Sequence, residues 1–217
     1  MVLIASMLAV PVGMMTALFL SEFRTNRWVG MIRFMTELLG GVPSIVIGIF
    51  AYSLLVKPPF FRHPNGFSAW SGICALSILM LPVIIRTSEE ALKLVPQSII
   101  QASYALGATQ WQTAMRVTVP AALPAMITGI LLAMGRIAGE TAPLLLTAFG
   151  STFWPKSLSE ATPFLPGYIY EYSKSADVEQ QRQAWAAALV LLTVIMMLNT
   201  IIRLVSGRRV VVASQAE

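Results

Sequence analysis

Five stretches of this chain are apolar over about the length that crosses a lipid bilayer, and no other feature restricts the possible folds as strongly. A membrane-spanning helix needs about 20 apolar residues. The composition agrees, because 12% of the 217 residues are charged, whereas charged residues make up about 25% of a soluble domain. The chain is therefore predicted to be an all-α polytopic membrane protein, with spans at about 1–20, 38–56, 70–86, 121–149 and 184–205.

The basic residues indicate how these spans are oriented. Lys and Arg collect in the short cytoplasmic loops of membrane proteins. If residues 87–120 are cytoplasmic, nine of the 15 basic residues lie inside, five lie outside and Arg136 stays within the membrane. This orientation places the N-terminus outside and the C-terminus in the cytoplasm, with extracytoplasmic loops at about 57–69 and 150–183. Because an odd number of spans then starts outside, we predict that an upstream span is missing from this chain.

Several function classes find no support in the sequence. The formal charge of +5 comes from residues that flank apolar spans, so no nucleic-acid partner is expected. The chain has one cysteine, Cys74, and one histidine, His63, which exclude an intrachain disulfide and provide no metal site. No G-x-x-x-x-G-K-[ST] phosphate loop occurs. We therefore expect no cofactor in this chain, and the energy for any active process has to come from a partner.

The second span opens with an unusual segment, Gly40-Gly41-Val42-Pro43-Ser44. Two glycines and a proline disfavour a regular helix and leave backbone groups that neighbouring elements have to satisfy. Gly41 and Pro43 therefore mark either the start of a helix or a break within one.

The loop between the third and fourth spans is too polar to cross a membrane, yet it carries the signals of two short helices. Gly107 can end the first helix in the left-handed conformation, and Thr109 with Gln112 forms a capping box that starts the second. One face of the first helix would hold Ile99, Ala102, Ser103 and Leu106. The inward face of the second would hold Trp111, Ala114, Met115 and Thr118. Pro120 then restarts the chain at the fourth span.

The same loop matches a known motif, carried by Gln101, Ala102, Ser103, Gly107, Val117, Val119 and Pro120. These residues resemble the EAA loop of binding-protein-dependent ABC permeases, which reads Glu-Ala-Ala, three residues, Gly, nine residues, Ile, one residue, Leu-Pro. The spacing matches throughout, although Gln101 replaces the usual glutamate and Ser103 the second alanine. In that family the loop docks in a cleft of the ATPase subunit, which implies the same coupling role for residues 87–120. Because Gln101 is neutral, we expect docking by shape and hydrogen bonding.

The fourth span carries two charges, Arg136 and Glu140, within an apolar run. Placing an arginine in a membrane costs about 2.5 to 3.5 kcal/mol on insertion scales. In a continuous helix, residues four apart share a face and can partly neutralise each other, and Pro143 would bend the helix beside Glu140. Small residues four apart would let another helix approach near that face: Ala125, Gly129 and Ala133. The pair is either a salt bridge between helices or part of a substrate path.

Residues 136–145, which read Arg-Ile-Ala-Gly-Glu-Thr-Ala-Pro-Leu-Leu, resemble the signature of phosphate-specific Pst permeases of the PstA type. Residues 41–45 and 185–191 fit the same family, and the resemblance covers nearly the whole chain. It implies a single type I (MetI-like) ABC importer permease domain over residues 1–217 in the bacterial inner membrane. The implied partners are a homologous PstC-type permease, a PstB-type ATPase dimer that binds ATP and Mg, and an extracytoplasmic PstS-type phosphate-binding protein.

The implied substrate path contains Arg136, Glu140 and Thr141. A guanidinium group offers a rigid fork of donors that suits phosphate oxygens. We expect Arg136 to attract the anion, while Glu140 orients Arg136 and disfavours fully deprotonated oxyanions. Three alternatives remain: a permease for phosphonate, molybdate or sulfate; an ATP-independent carrier or channel; and an intramembrane enzyme.

Overall fold

The fold is described from a computed structural model, which covers residues 1–23, 27–57, 66–151, 153 and 155–214, with side chains up to residue 200. Four helices in this part of the chain are long and apolar enough to cross a membrane, and a broken pair counts as a fifth span if its halves are taken together. The prediction of an all-helical chain with about five spans is therefore confirmed.

The ten α-helices of the described residues, in chain order, are α1 (Val2–Glu22), α2 (Arg27–Gly41), α3 (Ser44–Ala51), α4 (Ala69–Lys93), α5 (Gln97–Ala105), α6 (Gln110–Thr113), α7 (Val119–Ile137), α8 (Ala142–Thr147), α9 (Leu165–Ser173) and α10 (Val178–Ser214). Two wider π turns, Tyr52–Val56 and Ala114–Thr118, extend α3 and α6.

The chain divides into two compact units. Unit 1 comprises Met1–Met7, Val42–Leu79 and Met134–Asn199, and unit 2 comprises Leu8–Gly41, Met80–Ala133 and Thr200–Glu217. Each helix that crosses from one unit to the other is assigned to both.

In unit 1, carbonyl groups of residues 158–160, which precede α9, cap the N-terminus of α4. The first amide groups of a helix lack partners within it. Here the Ala69 N–H donates to the Glu160 carbonyl over 2.9 Å, and the Trp70 N–H donates to the Leu158 carbonyl over 3.1 Å. The Ser71 N–H donates to the Ser68 hydroxyl over 3.2 Å. A region predicted as a loop, 150–183, therefore supplies ordered structure that includes α9.

In unit 2, apolar side chains from α1, α4, α7 and the turn after α4 pack into one buried cluster: Ala17, Ala91, Leu92, Val95, Ala122 and Met126. The approach of α4 to α7 is close at Gly129, where an added Cβ would lie 2.5 Å from the Thr87 hydroxyl. Gly129 and Ala133 are buried and Ala125 is exposed. The predicted small-residue contact thus forms at Gly129.

The second span differs from its predicted bounds of 38–56. A separate helix, α2, already begins at Arg27 and ends at Gly41, and α3 begins at Ser44. Pro43 is the residue before α3 and has an extended backbone, as expected for a residue that cannot donate a helical hydrogen bond. The segment was predicted to be either the start of a helix or a break within one, and the structure shows a break between α2 and α3. Residues 58–65 of the predicted loop at 57–69, with His63, lie outside the described residues.

The starts and ends of three other spans were also predicted wrongly. The polar residues after Arg86 remain helical up to Lys93, because ion pairs one helical turn apart accommodate their charges. The helix of the fifth span begins at Val178, six residues earlier than predicted, and its helical backbone extends to Ser214. The fourth span begins earlier and breaks before its predicted end, as described below.

Candidate functional sites

The first candidate site is a hairpin of two helical arms around a glycine, residues 97–118, which we call the glycine hairpin. Gly107 has a φ of +83°, a conformation that suits a residue without a Cβ. Its N–H donates to the Tyr104 carbonyl over 2.9 Å, and the Ala108 N–H donates to the Ser103 carbonyl over 3.2 Å. These two bonds form a Schellman motif that ends α5, so the predicted role of Gly107 as a helix terminator is confirmed.

The second arm starts with the predicted capping box. The Gln112 N–H donates to the Thr109 hydroxyl over 3.3 Å, and the Thr109 N–H donates to the Gln112 side-chain oxygen over 3.0 Å. The hydroxyl groups of Ser103 and Thr113 lie 2.9 Å apart and connect the two arms. Ser103 thus stabilises the hairpin through its own side chain.

The second arm is not a separate helix, contrary to the prediction that Pro120 restarts the chain. Helical backbone runs without a gap from Gln110 to Ile137. Within it, the Val119 N–H donates to the Ala114 carbonyl, five residues back. Such a π turn is one of the adjustments by which a helix accommodates proline without ending. The hairpin is therefore rigidly continuous with α7.

The outer surface of the hairpin is apolar and uncovered within this chain. Leu106 is 90% exposed and Trp111 is 63% exposed. The remaining large apolar side chains exposed on the hairpin are Ile99, Tyr104 and Met115, and Leu94 is exposed in the turn just before it. The predicted inward face was therefore half wrong: Ala114 and Thr118 are buried, whereas Trp111 and Met115 point away from the chain's own core. A large exposed apolar patch typically marks an interaction surface.

The residues of the EAA-like motif divide between the surface and the interior of the hairpin. Four of them are exposed: Gln101, Ala102, Gly107 and Pro120. Three are half-buried: Ser103, Val117 and Val119. Val119 packs against the buried cluster of unit 2. The structure thus places the motif on the glycine hairpin and the first two residues of α7, and it leaves the glycine turn accessible.

The second candidate site is a helix break at residues 138–141 in unit 1, which we call the broken segment. The predicted fourth span was continuous over 121–149, but α7 ends at Ile137 and α8 begins at Ala142. The last turn tightens, with the Gly139 N–H donating to the Arg136 carbonyl over 3.3 Å and the Glu140 N–H donating to the Ile137 carbonyl over 3.1 Å. Pro143 therefore lies in the first turn of a new helix and does not kink an old one.

This break separates the two charges that sequence reasoning had paired. Arg136 lies in the last turn of α7 and is exposed, while Glu140 and Thr141 are half-buried in the non-helical segment. Across the described residues, no ion pair or side-chain hydrogen bond involves Arg136 or Glu140. The predicted helical face shared by the two residues is wrong, because the i to i+4 relation holds only within a continuous helix.

Close packing against α3 holds the broken segment in place. Pro143 is fully buried, and a Cβ added to Gly48 of α3 would lie 2.8 Å from the Pro143 Cα. The Thr147 hydroxyl donates to the Pro143 carbonyl over 2.7 Å. The short helix α8 thus depends on a residue almost one hundred positions earlier in the chain.

Sequence reasoning missed a third group of polar residues in unit 2. The carboxylate of Glu89 on α4 accepts from Arg33 on α2 over 2.6 Å and from Lys93 over 2.7 Å. The spacing of Glu89 and Lys93 is a readable signal for an ion pair within one helix. No sequence pattern indicates the ion pair between Glu89 and Arg33, which are 56 residues apart.

The chain matches known proteins over nearly its whole length. The family described as "Binding-protein-dependent transport system inner membrane component" matches residues 9–211. The chain is 38% identical to a phosphate transport system permease protein PstA of Yersinia pestis, over 96% of this chain and 70% of that protein. It is 39% identical to a phosphate transport system permease protein PstA 1 of Mycobacterium tuberculosis, over 95% of this chain and 68% of that protein.

A solved structure has the same fold. The inward-facing MetNI methionine ABC transporter superposes with a TM-score of 0.72 at 18% identity, over 96% of this chain and 89% of that chain. At this identity the likeness concerns the fold, that of a type I importer transmembrane domain. The chain belongs to the family of binding-protein-dependent transport system inner-membrane components and, within that family, to the PstA-type permeases of ABC importers.

Proposed function

We propose that this chain is the permease subunit of an ATP-driven importer of inorganic phosphate. The assignment of phosphate as the substrate rests on one observation: the chain is 38% identical, over 96% of its length, to a relative named as a phosphate transport permease. An ATP-independent carrier or channel is disfavoured, because the family works in binding-protein-dependent transport systems.

The glycine hairpin is the proposed docking element for a partner ATPase, which binds the ATP and Mg. Two properties support this role. Its exposed tip carries Leu106 and Trp111, and large aromatic side chains are typical anchors of protein interfaces. The second arm continues as α7, so a displacement of the hairpin would move a membrane-spanning helix directly. The exposed Gln101 and Ala102 would contact the ATPase through shape and hydrogen bonds.

The broken segment is the proposed part of the substrate path. Non-helical backbone at membrane depth is tolerated where it is buried in protein or lines a cavity. Arg136 has no partner among the described side chains, so its guanidinium is available to an anion. Thr141, the residue before α8, adds a hydroxyl group to the broken segment.

Glu140 is the proposed filter of this path. An ionised carboxylate only accepts hydrogen bonds, and hydrogen phosphate still carries a proton that it can donate, whereas sulfate does not. The earlier idea that Glu140 also orients Arg136 finds no contact to support it. If Glu140→Gln leaves the preference for phosphate over sulfate unchanged, Glu140 is not the filter.

The proposed assembly joins this chain to a homologous PstC-type permease, two PstB-type ATPase subunits and an extracytoplasmic PstS-type phosphate-binding protein. In the proposed orientation the N-terminus of the chain lies outside and the C-terminus lies in the cytoplasm. Capture of the ATPase by the wild-type chain, and its loss when the tip of the hairpin is altered, would test the assembly.

Uptake of labelled phosphate tests the substrate. Cells that lack this permease are complemented with the gene and challenged separately with excess sulfate, molybdate and phosphonate. We expect restored uptake that resists all three competitors. If another oxyanion abolishes the uptake, the chain is still an importer permease, but phosphate is not its preferred substrate.

A further inference from the structure

Glu89 is a buried carboxylate that two cations share. Its side chain is 8% exposed, and burial of a carboxylate without a partner would be costly. Both the Arg33 guanidinium and the Lys93 ammonium contact the same oxygen, Oε1, at 2.6 and 2.7 Å. The neighbouring pair on the same helix, Arg86 with Glu90, is 3.4 Å apart and its side chains are 72% and 63% exposed. One helix thus offers an ion pair with a buried carboxylate and half-exposed cations, and an exposed pair for comparison.

The two bonds to Glu89 differ in what they connect. Lys93 lies four residues along the same helix, so its bond acts within α4. Arg33 lies on α2, so its bond joins two helices. Apolar contacts support the same junction, since Val29 of α2 packs with Leu20 and Ile85 in a buried cluster. Arg33 is therefore the polar link between α2 and the end of α4.

The position of this link along the chain gives it a role beyond packing. Lys93 is the last residue of α4, and the glycine hairpin begins at Gln97 after a short turn. In the other direction, α2 continues through Val42 and Pro43 into α3, the helix that packs on Pro143 of α8. The ion pair therefore joins α2 to the end of α4, which leads into the glycine hairpin.

We infer that the Arg33–Glu89 ion pair positions α2 relative to the end of α4 and the glycine hairpin that follows it, so that movement of the hairpin is passed to α2. This inference rests on the proposed function of the hairpin as the ATPase docking element. Stability alone explains the pair poorly, because the Arg33 side chain is 41% exposed and ion pairs open to solvent contribute little. This transfer of movement depends more on the bond from Arg33, which joins two helices, than on the bond from Lys93, which acts within α4.

Three matched substitutions separate these bonds. Arg33→Gln removes the link between the helices and leaves Glu89 paired with Lys93. Lys93→Gln removes the bond within α4, and Arg86→Gln removes the exposed pair. The full complex of the chain with the partner permease, the ATPase and the binding protein is reconstituted in liposomes. The amount of ATPase that co-purifies and the ATP hydrolysed per phosphate transported are measured for each variant.

We expect Arg33→Gln to retain the ATPase and to raise the ATP hydrolysed per phosphate by about tenfold, within the range for residues on a coupling route. The same ratio should stay within about twofold of wild type in Arg86→Gln and change less in Lys93→Gln than in Arg33→Gln. Partial recovery of the ratio in Arg33→Lys, which keeps the charge, would support the inference further.

An unchanged ratio in Arg33→Gln would overturn the inference, and so would less complex with a normal ratio, because that result describes a structural role only. Failure of the proposed function is distinguishable, since the wild-type complex itself would then not transport phosphate or would not retain the ATPase.

Discussion

The glycine hairpin and the broken segment both interrupt helical structure beside a glycine, yet different parts of the chain hold them in place. The bonds that form the glycine turn and the capping box, and the hydroxyl bond that connects the two arms, join residues within ten positions of each other. The hairpin also has a bond to a distant residue, from the Gln110 side chain to the Glu22 carbonyl over 3.2 Å. The broken segment instead depends on Gly48 of α3, 95 positions before Pro143. A local turn can be read from a sequence, whereas a break held by tertiary packing cannot.

The difference extends to the two candidate roles. The hairpin presents apolar side chains outward on a stiff, locally determined support, as suits the docking of a partner. The broken segment holds Arg136 and Glu140 apart on backbone that a neighbouring helix positions. Substitutions in the two regions should therefore fail in different ways, and each of the following experiments tests that distinction.

The largest effect should come from Arg136, the exposed charge in the last turn of α7, just before the broken segment. Arg136→Gln removes a donor fork whose hydrogen bonds to an anion contribute about 1.5 to 3 kcal/mol each, so two such bonds correspond to at least a hundredfold loss of phosphate uptake. The ATPase should still co-purify with this variant. Arg182→Gln, in an exposed pair with Glu179 on α10, is the matched control and should transport normally. Normal uptake by Arg136→Gln would remove Arg136 from the path.

The hairpin should show the opposite pattern. Trp111→Ala deletes an exposed aromatic side chain of the kind that contributes about 2 kcal/mol or more as an interface anchor, so the ATPase should bind roughly thirtyfold more weakly. The thermal stability of the isolated chain should hardly change. Trp185→Ala on α10, where the tryptophan is 79% exposed, controls for loss of an exposed tryptophan. Equal loss of ATPase binding in both variants would contradict a docking role for the hairpin tip.

A smaller effect tests whether α3 supports the broken segment. Gly48→Ala would place a Cβ 2.8 Å from the Pro143 Cα, and such overpacking costs about 1 to 3 kcal/mol. The melting temperature and phosphate uptake should both fall. Gly30→Ala on α2, with no atom within 4 Å of the added Cβ, should leave stability unchanged or raise it by about 0.5 to 1 kcal/mol. If Gly48→Ala transports normally, α3 does not determine the geometry of the path.

The smallest effect concerns a single bond of the hairpin. Thr109→Ala removes the side chain that caps the second arm, and loss of such a cap costs about 1 kcal/mol. The melting temperature should fall slightly while phosphate uptake stays near wild type. Thr193→Ala on α10, whose hydroxyl donates to the Leu189 carbonyl within the same helix, should change the melting temperature less. A larger effect in the control would show that the capping box contributes little.

Sequence patterns predicted the hairpin better than its surroundings. The roles of Gly107, Thr109 and Gln112 could be read in advance because each acts on backbone groups a few residues away. The orientation of Trp111 and Met115 could not, since periodicity defines a face of a helix and does not say whether that face meets the chain's own core or a partner. Nothing in the sequence near Glu89 indicated its ion pair with Arg33, because the two residues are 56 positions apart.

The sequence by itself determined the membrane-spanning character, the all-helical class, the family and the turn at Gly107, because apolar length, composition and capping chemistry are local properties. Only the tertiary structure decided where the spans break, which charges pair and which side chains remain uncovered. After the break at residues 138–141, α8 packs closely on Gly48 of α3, and Glu89 of α4 pairs with Arg33 of α2. Contacts between residues far apart in the chain decide these features, and one sequence read without its fold does not contain them.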